Sequence, residues 1–104
     1  MWYILDKSKN PIHVEKLEGA KWSEDCPKDK IVKQTSIKNY WVSTVFLGLD
    51  HSNYGGPPIV FETRITKDRE WLAYQDRYCT WKAASQGHRD AMRKVIKLIR
   101  ENKQ

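Results

Sequence analysis

Alternating and helical spacings of apolar residues divide the chain into a series of strands closed by one long amphipathic helix. A short apolar run, Trp2, Tyr3, Ile4 and Leu5, predicts a first strand, and the turn-forming residues Asp6 to Pro11 follow it. Residues 14–24 carry Val14, Leu17 and Trp22 between Glu and Lys, the pattern of a short helix weakened by Gly19 and ended ahead of Pro27. Residues 31–37 alternate and include Val32 and Thr35, which predicts a strand that turns at Lys38 and Asn39. The strongest strand pattern covers residues 40–49. It sets Trp41, Ser43, Val45, Leu47 and Leu49 on one face and Val42, Thr44 and Phe46 on the other. Both faces are largely apolar, which points to a central position in the sheet.

Residues 59–65 form another strand pattern with Ile59, Phe61, Thr63 and Ile65 on one face. A charged turn at 67–70 leads to a short edge strand within 71–79. Thr80 then caps a helix over residues 81–102. Ala84, His88, Ala91, Met92, Val95, Leu98 and Ile99 recur at helical spacing and make its apolar face, with Arg89, Arg93, Lys97 and Arg100 as a basic stripe beside it. The expected fold is therefore α+β: one domain over residues 1–104, with a mostly antiparallel sheet of four or five strands, a long C-terminal helix on one face and a short N-terminal helix.

Charge adds a preference for anionic partners. Nineteen Lys and Arg stand against 13 Asp and Glu, a formal net charge of +6. The two cysteines, Cys26 and Cys79, form neither a disulfide framework nor a CxxC pair, and reduced thiols are expected. No segment reads as a signal peptide or a membrane span, so the expected setting is cytosolic, without a membrane partner.

Candidate chemistry concentrates in the loop at residues 50–58, between two strong strands. Asp50, His51, Asn53 and Tyr54 offer hydrogen-bonding side chains, Gly55 and Gly56 permit close backbone approach, and Pro57 and Pro58 stiffen the exit. These six residues, 50, 51 and 53–56, are the candidate binding surface. A structural turn, with Asp50 capping its own loop, is the competing reading. Acid–base chemistry is a third: Asp50 and His51, with Glu62 and His88, would make a small hydrolase or nuclease site. Against it, the chain has no HxxxH or Cys/His cluster, no nucleophile elbow and no P-loop, and no metal or cofactor is expected. His88 falls on an apolar helix face, where a histidine is usually a satisfied core residue. Glu62, inside a strand, calls for water or a basic partner on a neighbouring strand. The stripe Arg89, Arg93, Lys97 and Arg100 could follow phosphates, although no helix-turn-helix, zinc-finger or RNA-recognition signature accompanies it.

The run Val42-Ser43-Thr44-Val45-Phe46-Leu47-Gly48-Leu49-Asp50-His51, continued by Gly55-Gly56-Pro57-Pro58-Ile59-Val60-Phe61-Glu62-Thr63, resembles a family of small proteins encoded by bacteriophages and prophages. Asp76-Arg77-Tyr78-Cys79-Thr80-Trp81 with Gly87-His88 extends the likeness to about half the chain. The family pattern has Ser at the position of Cys79 and often Met at that of Arg64, which argues against an essential thiol. Residues 67–75 are longer here than the pattern. The resemblance implies a phage setting in the host cytoplasm and implies no activity. The expected function is thus a phage accessory protein that binds without catalysis. Its target would be a host enzyme or defence protein, or an anionic small molecule, and a homodimer is compatible with this reading. Nucleic-acid binding through the C-terminal helix is the alternative.

Overall fold

The computed structural model describes residues 1–52 and 55–102. Its elements run β1 (Trp2–Leu5), β2 (Pro11–Val14), α1 (Lys16–Asp25), β3 (Ile31–Ile37), β4 (Tyr40–Phe46), β5 (Phe61–Lys67), β6 (Glu70–Tyr78) and α2 (Trp81–Glu101), with a 3-10 turn at Pro27–Lys30. The fold is α+β, with an antiparallel four-stranded sheet in the order β3-β4-β5-β6 and a separate antiparallel pair, β1-β2.

The N-terminal reading needs two corrections. Residues 11–14 form β2, paired with β1 from Trp2↔Val14 to Leu5↔Pro11, and the helix begins only at Lys16. The cause is local. Asp6 Oδ1 accepts from the amides of Ser8 (2.8 Å) and Asn10 (2.9 Å), and Lys9 adopts a φ of +67°, so the chain reverses tightly enough to return as a strand. Of the apolar residues that suggested the helix, Leu17 is 85% exposed, whereas Trp22 packs on the core. β1 also lies outside the main sheet, joining the segment after β4 through Tyr3 N–H donating to Gly48 O (2.7 Å) and a bridge from Trp2 to Leu49. That segment has left the ladder: β4 stops at Phe46, and β5 starts at Phe61 rather than Ile59. β6 is a nine-residue strand, longer than its reading.

Hairpins join the four main strands in order. Lys38 and Asn39 make the β3–β4 turn, with Lys38 at φ +54°. Asp68 and Arg69, at φ +53° and +70°, make a two-residue turn whose twist suits a hairpin. The two turns are stitched together: Asn39 Nδ2 donates to Asp68 Oδ1 (3.0 Å), and Asp68 N–H donates to Asn39 O (2.9 Å).

Helix α2 starts at the Thr80 cap, whose Oγ1 accepts from Ala83 N–H at 3.0 Å. It lies on the sheet's inner face and buries Ala84, Gly87, His88, Ala91 and Val95. The core has two parts. Leu5, Phe46, Val60, Phe61 and Ala84 pack beneath Trp22 and Trp81, and Tyr40, Val42, Ile65, Ala91 and Val95 pack beneath Leu98 and Ile99. Trp22 and Trp81 meet Phe46 and Phe61 edge-on, at centroid distances of 5.7 and 6.2 Å. β4 is central, as its apolar pattern indicates, but only its Val42–Thr44–Phe46 face is covered by the helix. The opposite face of the sheet carries Trp41, Ser43 and Arg64 without a covering helix.

Candidate functional site

The loop at residues 50–58 is closed by its own hydrogen bonds. Asp50 Oδ1 accepts from Ser52 N–H (2.8 Å) and Ile59 N–H (2.9 Å), and Oδ2 accepts from Ser52 Oγ (2.9 Å). These donors favour the charged form, Ser52 N–H most and Ile59 N–H next, and hold the Asp50 carboxyl below the usual carboxylate range. The main chain locks the base of the loop, with His51 N–H on Ile59 O (2.9 Å), Leu47 N–H on Val60 O (2.6 Å) and Asp50 N–H on Met1 O (3.1 Å). Asp50 is therefore the loop's internal clasp, accepting three hydrogen bonds from the loop and its exit. His51 is exposed, as are Gly55 and Gly56. The two glycines adopt φ of +79° and +83°, and a side chain at either would meet no atom within 4 Å among the described residues. Backbone conformation selects them, rather than close approach to a neighbour. Asn53 and Tyr54 lie outside the described residues.

A second polar cluster lies under α2, where three strands each offer a threonine. His88 Nδ1 is 2.7 Å from Thr44 Oγ1, His88 Nε2 is 3.0 Å from Thr35 Oγ1, and Thr44 Oγ1 is 2.6 Å from Thr63 Oγ1. Neutral imidazole has one donor and one acceptor, and hydroxyls rotate. Either tautomer completes the chain: Nε2–H donates to Thr35 while Nδ1 accepts from Thr44, or both directions reverse. A protonated ring would donate at both nitrogens. Burial, reinforced by the nearby Lys33 charge, pushes the His88 pKa below the ordinary histidine value. Beside this cluster the Tyr78 hydroxyl is buried without a well-formed hydrogen bond. Burial pushes its pKa up to about 12, only partly opposed by the adjacent Thr63 hydroxyl. The cluster is polar, interlocked and sealed between helix and sheet.

That environment fixes a pH dependence. The unfolded chain takes up a proton on His88 below about pH 6.5, and the folded chain resists until lower pH. The neutral ring's contribution is thus fully present above 6.5 and is lost as pH falls from there to the folded pKa. At most about 1.4 kcal/mol of stability disappears per pH unit in that window. Urea unfolding between pH 7.5 and 5 should show this slope in the native chain and a flatter one in His88→Gln; equal slopes would rule out the buried neutral ring. Asp50 acts in a separate, more acidic window, because its depressed carboxyl pKa places its loss below the usual carboxylate range.

Glu62 projects from the sheet's outer face. Its Oε2 accepts from Gln75 Nε2 (2.6 Å) and Arg77 Nε (3.0 Å), both on the neighbouring β6, and its Oε1 is 3.9 Å from Arg64 Nη1. Strand register defines the rest of this face. Ser36, Trp41, Thr66 and Trp71 form one row across all four strands. Gln34, Ser43, Arg64 and Gln75 form the next, and Val45, Glu62 and Arg77 follow. The Arg64 guanidinium stacks 4.6 Å from the Trp71 ring centroid.

The four acid–base candidates do not converge. Glu62 and His88 are on opposite faces of the sheet, and Asp50 and His51 are at its end, in the closed loop. Among the described residues no group of three His, Cys, Asp or Glu side chains could hold a metal ion, and Cys26 and Cys79 are free. No described helix is long and apolar enough to cross a membrane. On the basic stripe, Arg93 pairs with Asp90 (2.9 Å) and Arg89 donates to Gln86 (2.8 Å). Sequence reasoning missed the outer-face row, because the apolar pattern of β4 was read as buried on both sides. The polar alternation Glu62, Arg64, Thr66 on β5 is the signal that one face lies outside the apolar core, although neighbouring side chains cover Glu62 and Thr66 themselves. No family model, curated protein or solved structure matches the chain.

Proposed function

We propose that this chain is a small accessory protein that acts by binding rather than by catalysis. The carrying observation is the separation and saturation of its reactive side chains. His88 is locked among threonines, Asp50 is spent on its own loop, and Glu62 is held by Gln75 and Arg77. General acid–base chemistry needs a proton-transfer group within reach of a substrate, with a partner oriented beside it. These groups instead maintain the fold. The likeness of the 42–63 segment to phage-encoded proteins fits such a role in a host cell, where a small binding protein would occupy a host component. With Asp50 committed, the loop retains His51 as its exposed titratable side chain among the described residues, and the sheet's outer face becomes the stronger candidate surface.

Immobilised protein should retain a component of bacterial lysate that Trp41→Ala/Trp71→Ala protein does not. That component, analysed by mass spectrometry as protein, nucleic acid and small molecules, should be recovered chemically unchanged. Recovery of a processed product, with continued turnover on added lysate, would replace the binding reading with an enzymatic one.

A further inference from the structure

We propose that the outer face of the four-stranded sheet is a platform for single-stranded nucleic acid. The indoles of Trp41 and Trp71 serve as base-stacking surfaces, and Arg64 and the hairpin-turn cations serve as phosphate contacts. The inference rests on the binding reading above and names its partner.

Three features of the face carry it. First, two tryptophans are left in water, Trp41 at 37% and Trp71 at 61% exposure, in one cross-strand row. Only Thr66 separates them, so they stand about two strand spacings, roughly 10 Å, apart. Arg64 lies over the Trp71 ring, and the smaller Ser36 and Thr66 flank Trp41 in the same row, so the exposed parts of the two indoles are separate aromatic surfaces. Splayed bases stack on such surfaces whatever their sequence.

Second, the flanking chemistry is polar and cationic. Arg64 Nε is buried with no hydrogen-bond partner among the described residues, and its Nη1 reaches Glu62 only at 3.9 Å, so the group is poised over Trp71 with donor capacity unspent. Gln34, Ser43 and Gln75 continue its row. Third, an open groove of about 430 Å³ at the end of the face joins Ser36, Trp41 and Thr66 to Lys38 and Arg69 of the two stitched turns. Counting Arg64, Arg77, Lys38 and Arg69 against Glu62 and Asp68, the face and its rim are net positive, in a chain of net charge +6. Stacking on the two indoles requires unpaired bases, so single strands are the matching class. The α2 stripe offers cations without tryptophans beside them, and Arg93 is already paired with Asp90.

Fluorescence anisotropy with labelled DNA and RNA of about 15 nucleotides tests this directly. Single strands should bind, the duplex of the same sequence should bind far more weakly, and the DNA and RNA arms show which sugar is preferred. With three phosphate contacts, affinity should fall roughly fourfold per doubling of salt. Trp71→Ala and Trp41→Ala should each weaken binding about tenfold, while Trp71→Phe retains most of it. Binding should quench tryptophan fluorescence in the native chain and much less in a Trp41→Phe/Trp71→Phe protein. Melting temperatures establish that each variant is folded, and the highly exposed Trp71 gives a decisive variant even if Trp41→Ala unfolds. The proposal is overturned by absence of single-strand binding at low salt or by equal duplex binding. It is equally overturned by binding that survives both Trp→Ala changes but is lost in Arg93→Gln/Lys97→Gln, or by a Trp71-dependent dimer in sedimentation that occupies the face. Intact oligonucleotide without binding removes the platform and leaves the non-catalytic reading standing. Cleaved oligonucleotide with Trp71 dependence retained does the reverse.

Discussion

Val95→Asp should unfold the protein. Val95 is fully buried on α2, in the half of the core built from Tyr40, Val42, Ile65 and Ala91. Removing its side chain from that site forfeits roughly 1.5–3 kcal/mol of apolar burial. The aspartate must also either ionise in the core or be held protonated far above its usual pKa, an additional cost of several kcal/mol. The sum is on the order of 5 kcal/mol or more, against a total stability of about 5–15 kcal/mol for a domain of this length. Ile96 is the internal control: the next residue along the helix, it is 40% exposed, and Ile96→Asp should cost no more than about 1 kcal/mol. Circular dichroism during heating and in urea should find Val95→Asp unfolded or aggregated and Ile96→Asp cooperative. A soluble Val95→Asp with the native melting temperature would mean that α2 does not pack on this face.

The same contrast shows what the sequence made legible. The 3.6-residue period of α2 located its buried face, including Ala84, Ala91 and Val95, because every turn of the helix contacts one continuous surface. The period of two grouped the inward Phe61, Thr63 and Ile65 of β5 for the same reason, and on β4 it separated Val42, Thr44 and Phe46 from the other face without showing which one the helix covers. Where a segment answers to several surfaces, the period is lost. Residues 11–14 became a strand because the Asp6 clasp turned the chain back on β1, a hydrogen-bonding event that hydrophobic spacing does not encode. Beyond Phe46 the chain leaves β5 to pair through Gly48 and Leu49 with the N-terminal strand, while the apolar residues continue unbroken.

The site was legible in part. A histidine on an apolar helix face called for satisfied nitrogens, and the inward threonines of β3 and β4 satisfy them, with Thr63 of β5 bonded in turn to Thr44. A carboxylate inside a strand called for a basic cross-strand partner, and Arg77 is that partner. The loop was the harder case. Its polar residues suit a ligand and a closed turn equally well, and only the distances from Asp50 to Ser52 and Ile59 show where its carboxylate is spent. The outer face escaped because a tryptophan has the same apolar character whether it is covered or exposed. Exposure depends on which elements pack where, a tertiary property.

Gly87→Ala should destabilise the protein, against the ordinary rule for glycine in a helix. In an exposed helix interior this change gains up to about 1 kcal/mol, since alanine loses less backbone entropy on folding. Gly87, however, is buried one residue before His88, and a β-carbon built there would overlap the hydroxyl and ring of Tyr78. The phenol cannot simply swing away, because its hydroxyl is itself buried and its ring packs against the core around Phe61. The helix or the ring must shift, at a cost of about 1–3 kcal/mol for alanine, and more for the branched Gly87→Val, which should be unfolded or nearly so. Tyr78→Phe alone should be neutral or slightly stabilising, because it removes a buried hydroxyl that has no well-formed hydrogen bond. It should not rescue Gly87→Ala, since the ring carbons overlap too. Tyr78→Leu should recover part of the loss, and a double-mutant cycle in urea measures the coupling. A shift of the helix would also lengthen the His88 contacts with Thr35 and Thr44, so Gly87→Ala should flatten the pH slope assigned to His88. Gly87→Ala protein more stable than the native chain, with that slope unchanged, would show that Tyr78 does not occupy the space this glycine leaves open.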